Sequence, residues 1–119
     1  FWTSQKPSKN QKPGDHAVLI CDLDLTQTQK VLRDFEKQRI RFKRVVHSSN
    51  LEVITALVAG GAGVGILPSR VATRHKSLAL KPFSNKSPSF KDKICLVYRA
   101  DLPKSKSREV ITTAIKSAF

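Results

Sequence analysis

The sequence has 119 residues, with 22 lysines and arginines against 9 aspartates and glutamates, and a net charge of +13. This length suits one domain with its own core. No apolar stretch approaches the roughly 18–20 residues of a membrane span, and FWTSQKPSKN lacks the apolar run of a signal peptide. The chain starts without methionine, so we expect a piece of a longer, soluble, cytoplasmic protein.

Short apolar runs alternate with helical patterns along the chain. Residues 1–4 are extended, and stretches 5–14 and 81–93 are polar loops rich in lysine, proline and serine. The strands predicted to share one sheet are VLIC, FKRVV, VGIL and ICLVY, at 18–21, 42–46, 64–67 and 94–98. The predicted helices are near 27–38, 50–59 and 104–118, with a further one starting at Pro68. This order predicts an α/β fold with a mostly parallel sheet flanked by helices.

The positive charge is concentrated in KQRIRFKR, residues 37–44, which holds five basic residues. Basic and apolar residues alternate there, which indicates a solvated outer face of a strand. Sequence-specific nucleic-acid binding would require aromatic side chains on a platform or a recognition helix, and neither pattern is present. We therefore expect at most weak, salt-dependent binding to duplex DNA.

Few residues in the sequence are candidates for redox chemistry, metal binding or catalysis. Cys21 and Cys95 lie inside apolar runs, which predicts two buried, reduced thiols. The three histidines are far apart and none is spaced as a metal ligand, so neither a metal nor another cofactor is predicted. Asp22 and Asp24 could share a face as acid and base, but no partner motif accompanies them, and strand-end or capping roles are favoured. No enzyme activity is expected.

Four glycines between residues 60 and 65 suggest a phosphate-binding loop, but the order of elements excludes one. A dinucleotide fingerprint lies after a strand and opens a helix, whereas here the helix precedes the strand. In a P-loop, lysine would stand where Ile66 stands. We instead predict that Gly60 is a left-handed residue ending the helix, and that Gly65 permits close backbone approach at the sheet.

The segment SSNLEVITALVAGGAGVGILPSR, residues 48–70, resembles the hallmark segment of the effector-binding domain of LysR-type transcriptional regulators. FWTS resembles the strand that enters the second subdomain, and KICLVYRADLPKSKS, residues 93–107, resembles the strand that returns from it. The resemblance implies that residues 1–119 are this second subdomain with crossing strands and the C-terminal helix. It also implies a single lobe of a fold like that of type 2 periplasmic binding proteins.

A ligand site follows from helix physics and from the resemblance. Ser49 and Glu52 have the spacing of a capping box, which predicts Ser49 as N-cap and an anion site at the helix start. The resemblance implies an effector site of hydroxyl and amide side chains at this helix start and on the entering strand, with an apolar wall: Ser48, Ser49, Asn50, Thr3, Ser4, Leu67 and Pro68.

The resemblance also implies partners. These are a small, anionic effector, DNA contacted only through a helix-turn-helix that this chain lacks, and a second copy of the full-length protein. No membrane partner is expected. Two alternatives remain open: a lobe of a solute-binding protein, and a basic module that binds nucleic acid without sequence preference.

Overall fold

The computed structural model describes residues 2–4, 16–74, 76–83, 88–91, 93–99, 101 and 103–118. The strands are β1 (Trp2–Ser4), β2 (Val18–Cys21), β3 (Arg44–His47), β4 (Val64–Gly65) and β5 (Leu80–Pro82). The helices are α1 (Thr26–Lys37), α2 (Leu51–Ala59), α3 (Ser69–Arg74) and α4 (Lys106–Ala118), with a 3₁₀ turn at Lys76–Leu78. Within these residues, no helix combines the length and apolar character needed to cross a membrane.

The strands form one five-stranded sheet in the order β3-β2-β4-β1-β5. β2 pairs in parallel with both β3 and β4, while β1 runs antiparallel between β4 and β5. The bounds of β2 match the predicted VLIC strand, and the α/β class is confirmed. β5 lies at the start of the stretch that was predicted to be a loop.

The interior strand β2 divides the core into two layers, because successive side chains of a strand point to opposite faces. Val18 and Ile20 pack with Ile54 and Val58 of α2 and with Leu67. On the other face, Leu19 and Cys21 pack with Val31 and Phe35 of α1. All four residues of β2 are buried, so this strand and its two helices form the centre of the fold.

The glycine segment forms a turn and allows close packing, as predicted, but its left-handed residue is Gly61 and not Gly60. Gly60 is right-handed, with φ −73°, and Gly61 takes the left-handed conformation at φ 82°. The prediction of a left-handed Gly60 was therefore wrong, because Gly60 is the right-handed C-cap of α2 and the chain reverses at the next residue. At Gly65, a Cβ atom would lie 2.6 Å from Cγ2 of Val58, so the predicted close approach to the sheet is confirmed.

The basic run lies on the surface, as predicted, but most of it is not a strand. Arg39 has φ 56° in the turn after α1, and β3 begins only at Arg44. Arg39, Arg41 and Lys43 are exposed. Phe42 is half-buried, and its ring centroid is 5.1 Å from that of Phe35. Phe42 therefore fixes this loop against α1 while the cations face solvent.

The predicted buried strand at ICLVY was wrong. Residues 94–99 pair with no strand among the described residues, and Val97 is 85% exposed and Ile94 67% exposed. α4 lies where a helix was predicted, but none of its residues is buried. An apolar run predicts that a segment will be buried, but not what will bury it. The described sheet ends at β3 and β5, so this segment adds no strand to it.

The two cysteines should therefore differ sharply in reactivity. Burial, together with the neighbouring Asp22 carboxylate, raises the pKa of the Cys21 thiol to about 11, so at pH 8 only about one molecule in a thousand carries this thiolate. Cys95 is exposed, against the prediction that both thiols are buried. An aromatic disulfide reagent at pH 8 should label one thiol per folded chain rapidly.

The matched variants are Cys95→Ser, which should react only after addition of urea, and Cys21→Ser, which should keep the fast phase. Rapid labelling of the folded Cys95→Ser chain would contradict the burial of Cys21.

Candidate functional site at the carboxyl edge of the sheet

The three parallel strands end at one edge of the sheet, and the residues that follow them form this edge. His47 ends β3 beside Ser48, Cys21 ends β2 beside Asp22, and Gly65 ends β4 beside Ile66. In open α/β sheets, ligands bind outside the carboxyl ends of the strands, where neighbouring strands connect in opposite directions. β2 continues through α1 to β3 on one side, whereas β4 lies on the other side of β2. The sheet edge at the carboxyl ends of β2 and β4 is such a position.

A groove of about 360 Å³ lies at this edge. The start of α1 contributes Leu25, Gln27 and Thr28, and the segment after β4 contributes Ile66, Leu67, Pro68 and Ser69. The remaining described walls come from β1, from the second turn of α1, from the first residue of α2 and from the 88–91 segment: Trp2, Val31, Leu51, Pro88, Ser89 and Phe90. The groove is therefore lined mainly by apolar side chains, with a few polar groups at the helix starts, which is the composition of a small-molecule site.

The residues predicted to bind the effector divide into three groups. Leu67 and Pro68 line the groove, in the position of the predicted apolar wall. Ser48, Ser49 and Asn50 follow β3 at the same edge but are not among the groove-lining residues. The backbone of Thr3 and Ser4 belongs to β1, while their side chains lie outside what the structure describes.

The start of α2 is capped by Asn50 and not by Ser49. The Asn50 Oδ1 atom accepts hydrogen bonds from the backbone N–H of Glu52 at 2.8 Å and of Val53 at 3.3 Å. The Asn50 N–H in turn donates to Ser48 Oγ at 3.2 Å. The predicted capping box was therefore wrong by one residue, because the Ser48 bond places Asn50 at the N-cap and Glu52 becomes the second helical residue.

The assignment of Asn50 as N-cap can be tested by mutation, with the neighbouring Ser49 as the control. Asn50→Ala should lower the free energy of unfolding by about 1 kcal/mol, because two N–H groups lose their acceptor. Ser49→Ala should change the free energy of unfolding by less than about 0.5 kcal/mol, because Ser49 is exposed and does not cap the helix. Urea unfolding of both variants measures the difference, and a larger cost for Ser49→Ala would restore Ser49 as the cap.

The structure brings His47, which the sequence did not connect with any site, to Asp22 and Asp24: the ligand atoms of these three residues lie within 4.8 Å of one another. The Leu23 N–H donates to His47 Nδ1 at 3.1 Å, so in the neutral ring the proton lies on Nε2. That nitrogen faces Asp24 Oδ2 at 3.7 Å. Neither ring nitrogen then offers a lone pair to a metal ion, and the cluster serves to fix the loop between β2 and α1.

The start of α1 differs from that of α2. Leu25 occupies the N-cap position and makes no side-chain cap bond, and the first turn contains no acidic residue. The Gln29 side chain donates to the Leu23 carbonyl at 2.6 Å and so does not cap the helix start. Thr28 lies in this first turn, lines the groove and is 1% exposed. Sequence reasoning missed Thr28 altogether.

The comparison with protein families agrees with this geometry. The family model of the LysR substrate binding domain matches residues 13–118. The chain therefore belongs to this family, whose members have the periplasmic-binding-protein-like fold and are regulatory domains that bind effectors, not catalytic ones. No curated protein and no solved structure matches the chain.

Proposed function

We propose that this chain is the second subdomain of the effector-binding domain of a LysR-type regulator, with its crossing segments and C-terminal helix. We further propose that a small acidic effector binds in the groove at the carboxyl ends of β2 and β4. The groove carries the proposal, because it lies where open α/β sheets bind ligands and because Leu67 and Pro68 form its wall. Ser48, Ser49 and Asn50 lie on the neighbouring part of the same edge, where they contact the part of an effector that extends beyond the groove.

The net charge of +13 supports an acidic effector, because a positive field raises the local concentration of anions. In the intact regulator, DNA is contacted by a helix-turn-helix, and the effector shifts the arrangement of the regulatory domain relative to it.

Asn50 and Ser48 are already bonded to each other. Ser49 is exposed, and Ser49→Ala in the intact regulator should weaken the response to effector and leave operator binding unchanged.

Trp2 provides the test, because it is the single tryptophan of the sequence and lines the groove. A panel of small organic acids and neutral compounds is titrated while the tryptophan emission is recorded. Ser69→Phe should abolish the response by filling the groove from the start of α3. Thr73→Phe, one turn further along the same exposed helix face, is the matched control and should respond as the unmodified chain does.

Two results would contradict the proposal. One is the absence of any saturable change in Trp2 emission across the panel. The other is equal binding by Ser69→Phe and Thr73→Phe, which would place the ligand outside the groove.

A further inference from the structure

We propose, on the basis of the effector groove described above, that the first turn of α1 and the buried Thr28 hydroxyl bind the carboxylate of the effector. The effector is then a small carboxylic acid with an apolar body. Its acidic group lies at the start of α1, and not at the start of α2, where sequence reasoning placed an anion.

The first observation is the buried Thr28 hydroxyl. Three polar residues among those described are buried, namely Asp22, Thr28 and Thr55. Asp22 accepts from the Asp24 N–H at 3.0 Å, and Thr55 donates to the Leu51 carbonyl at 2.6 Å. Within the described part of the chain, the Thr28 side chain has no hydrogen-bond partner. A buried hydroxyl without a partner is costly and rare, so a partner entering from the groove would relieve this cost.

The second observation is the open start of α1, which has 12 residues. Its first intrahelical bond runs from the Gln29 N–H to the Leu25 carbonyl at 3.1 Å. The N–H groups of Thr26 and Thr28 precede this bond, so the helix itself supplies no acceptor for them. Leu25 provides no side-chain cap either. The positive end of the helix dipole and these N–H groups together favour an anion at this position.

The start of α2 is a weaker competitor for the anion. Asn50 already accepts from two N–H groups there, and Glu52 places a negative charge in the first turn. The first turn of α1 has neither a capping side chain nor an acidic residue. The two helix starts lie at the same edge of the sheet, so this difference in capping and charge decides which of them binds an anion.

The charged groups around α1 are consistent with this assignment. Asp22 and Asp24 precede the helix, but neither lines the groove, and the Asp24 carboxylate is turned toward His47 of β3, on the far side of β2. Lys30 of α1 lies with Nζ 4.4 Å from the ring centroid of Phe90, which lines the groove. A cation thus lies beside a ring that lines the groove, while the Asp22 carboxylate accepts from the Asp24 N–H and the Asp24 carboxylate faces His47. The Trp2 and Phe90 rings are suited to an apolar ligand body.

Phenylacetate and its neutral partner phenylacetamide test this inference, because they share a shape and differ in charge. Each is titrated into the chain while Trp2 emission is recorded. Phenylacetate should bind about tenfold tighter than phenylacetamide. Its charged carboxylate accepts stronger hydrogen bonds and is favoured by the positive end of the helix dipole, whereas the neutral amide lacks both advantages. Thr28→Val keeps the shape and removes the hydroxyl, and should weaken phenylacetate about tenfold while changing phenylacetamide less than about threefold.

Two further variants serve as controls. Thr55→Val changes an equally buried threonine that does not line the groove, and should keep the acid preference. Thr28→Ser restores the hydroxyl and should keep the preference as well, and it also covers the case in which Thr28→Val fails to fold.

The outcomes separate this inference from the proposed function. If both compounds bind with equal affinity, or if Thr28→Val binds phenylacetate as the unmodified chain does, the carboxylate site at α1 is wrong and the groove remains a ligand site. If neither compound nor inorganic sulfate changes Trp2 emission, the site at α1 is overturned as well. In that case, the broader panel of compounds and the Ser69→Phe variant test whether the groove binds any ligand.

Discussion

Gly63→Ala is expected to lower the free energy of unfolding by about 3 kcal/mol or more, as expected for severe overpacking in a core. A Cβ atom at Gly63 would lie 2.4 Å from the Val18 carbonyl oxygen and 3.2 Å from the Ile20 side chain. The first of these is a backbone atom of β2, which pairs with both β3 and β4. This carbonyl cannot rotate away as a side chain would, so the clash displaces β2.

Gly60→Ala is the matched control in the same turn. Gly60 has φ −73°, and a Cβ atom there would meet only the Ala56 carbonyl at 3.4 Å and the Leu57 carbonyl at 3.6 Å. Its effect should lie within about 1 kcal/mol of zero, because alanine also reduces the entropy of the unfolded chain. Urea unfolding of both variants measures the contrast. A Gly63→Ala cost close to that of Gly60→Ala would disprove the close approach of the turn to β2.

The centre of the fold could be predicted from the sequence because its signals are local. The VLIC run is short, branched and continuous, and its bounds match β2 because both faces of that strand are covered by helices. The order of helix, glycine turn and strand excluded a phosphate loop without any coordinates. Gly65 was correctly assigned to close packing, since a glycine inside a strand pattern indicates an approaching neighbour.

Other features depend on partners that no local pattern identifies. The ICLVY run has the composition of β2, yet Ile94 and Val97 are largely exposed. The observed N-cap of α2 is one residue later than the predicted one. Serine and asparagine are both good N-caps, and the hydrogen bond from the Asn50 N–H to Ser48 favours Asn50 in this position. N-cap propensity alone could not decide between Ser49 and Asn50.

The candidate site was predictable only in part. Leu67 and Pro68 follow a recognisable strand end, so the sequence placed them at the edge where the groove lies. Thr28 has no such signal. Its interest lies in a buried hydroxyl without a partner in the described part of the chain, and this property arises from the packing of α1 against residues distant in sequence. The helix predicted near residues 27–38 was the single local clue to this region.

The close approach of β4 to α2 can be tested by removing the obstructing atom. In Gly65→Ala, the new Cβ would lie 2.6 Å from Cγ2 of Val58, and its next nearest atoms, on Ile54 and Leu67, are at 3.5 Å, an ordinary contact distance. This variant alone should lose about 1–3 kcal/mol of the free energy of unfolding. Val58→Ala alone should lose about 2 kcal/mol, because Val58 is fully buried and a cavity remains.

The double variant Gly65→Ala/Val58→Ala should be more stable than the sum of the two single losses implies, by about 1–2 kcal/mol. Val58→Ala deletes the atom that obstructs the Cβ at residue 65, and that Cβ in turn fills part of the cavity. Gly63→Ala/Val58→Ala is the control cycle and should be nearly additive, because the obstruction at Gly63 is the Val18 carbonyl, which Val58→Ala leaves in place. Urea unfolding of the two cycles gives both coupling energies. Equal coupling in the two cycles would mean that Val58 does not limit the space at Gly65, and that α2 packs on β4 in another register.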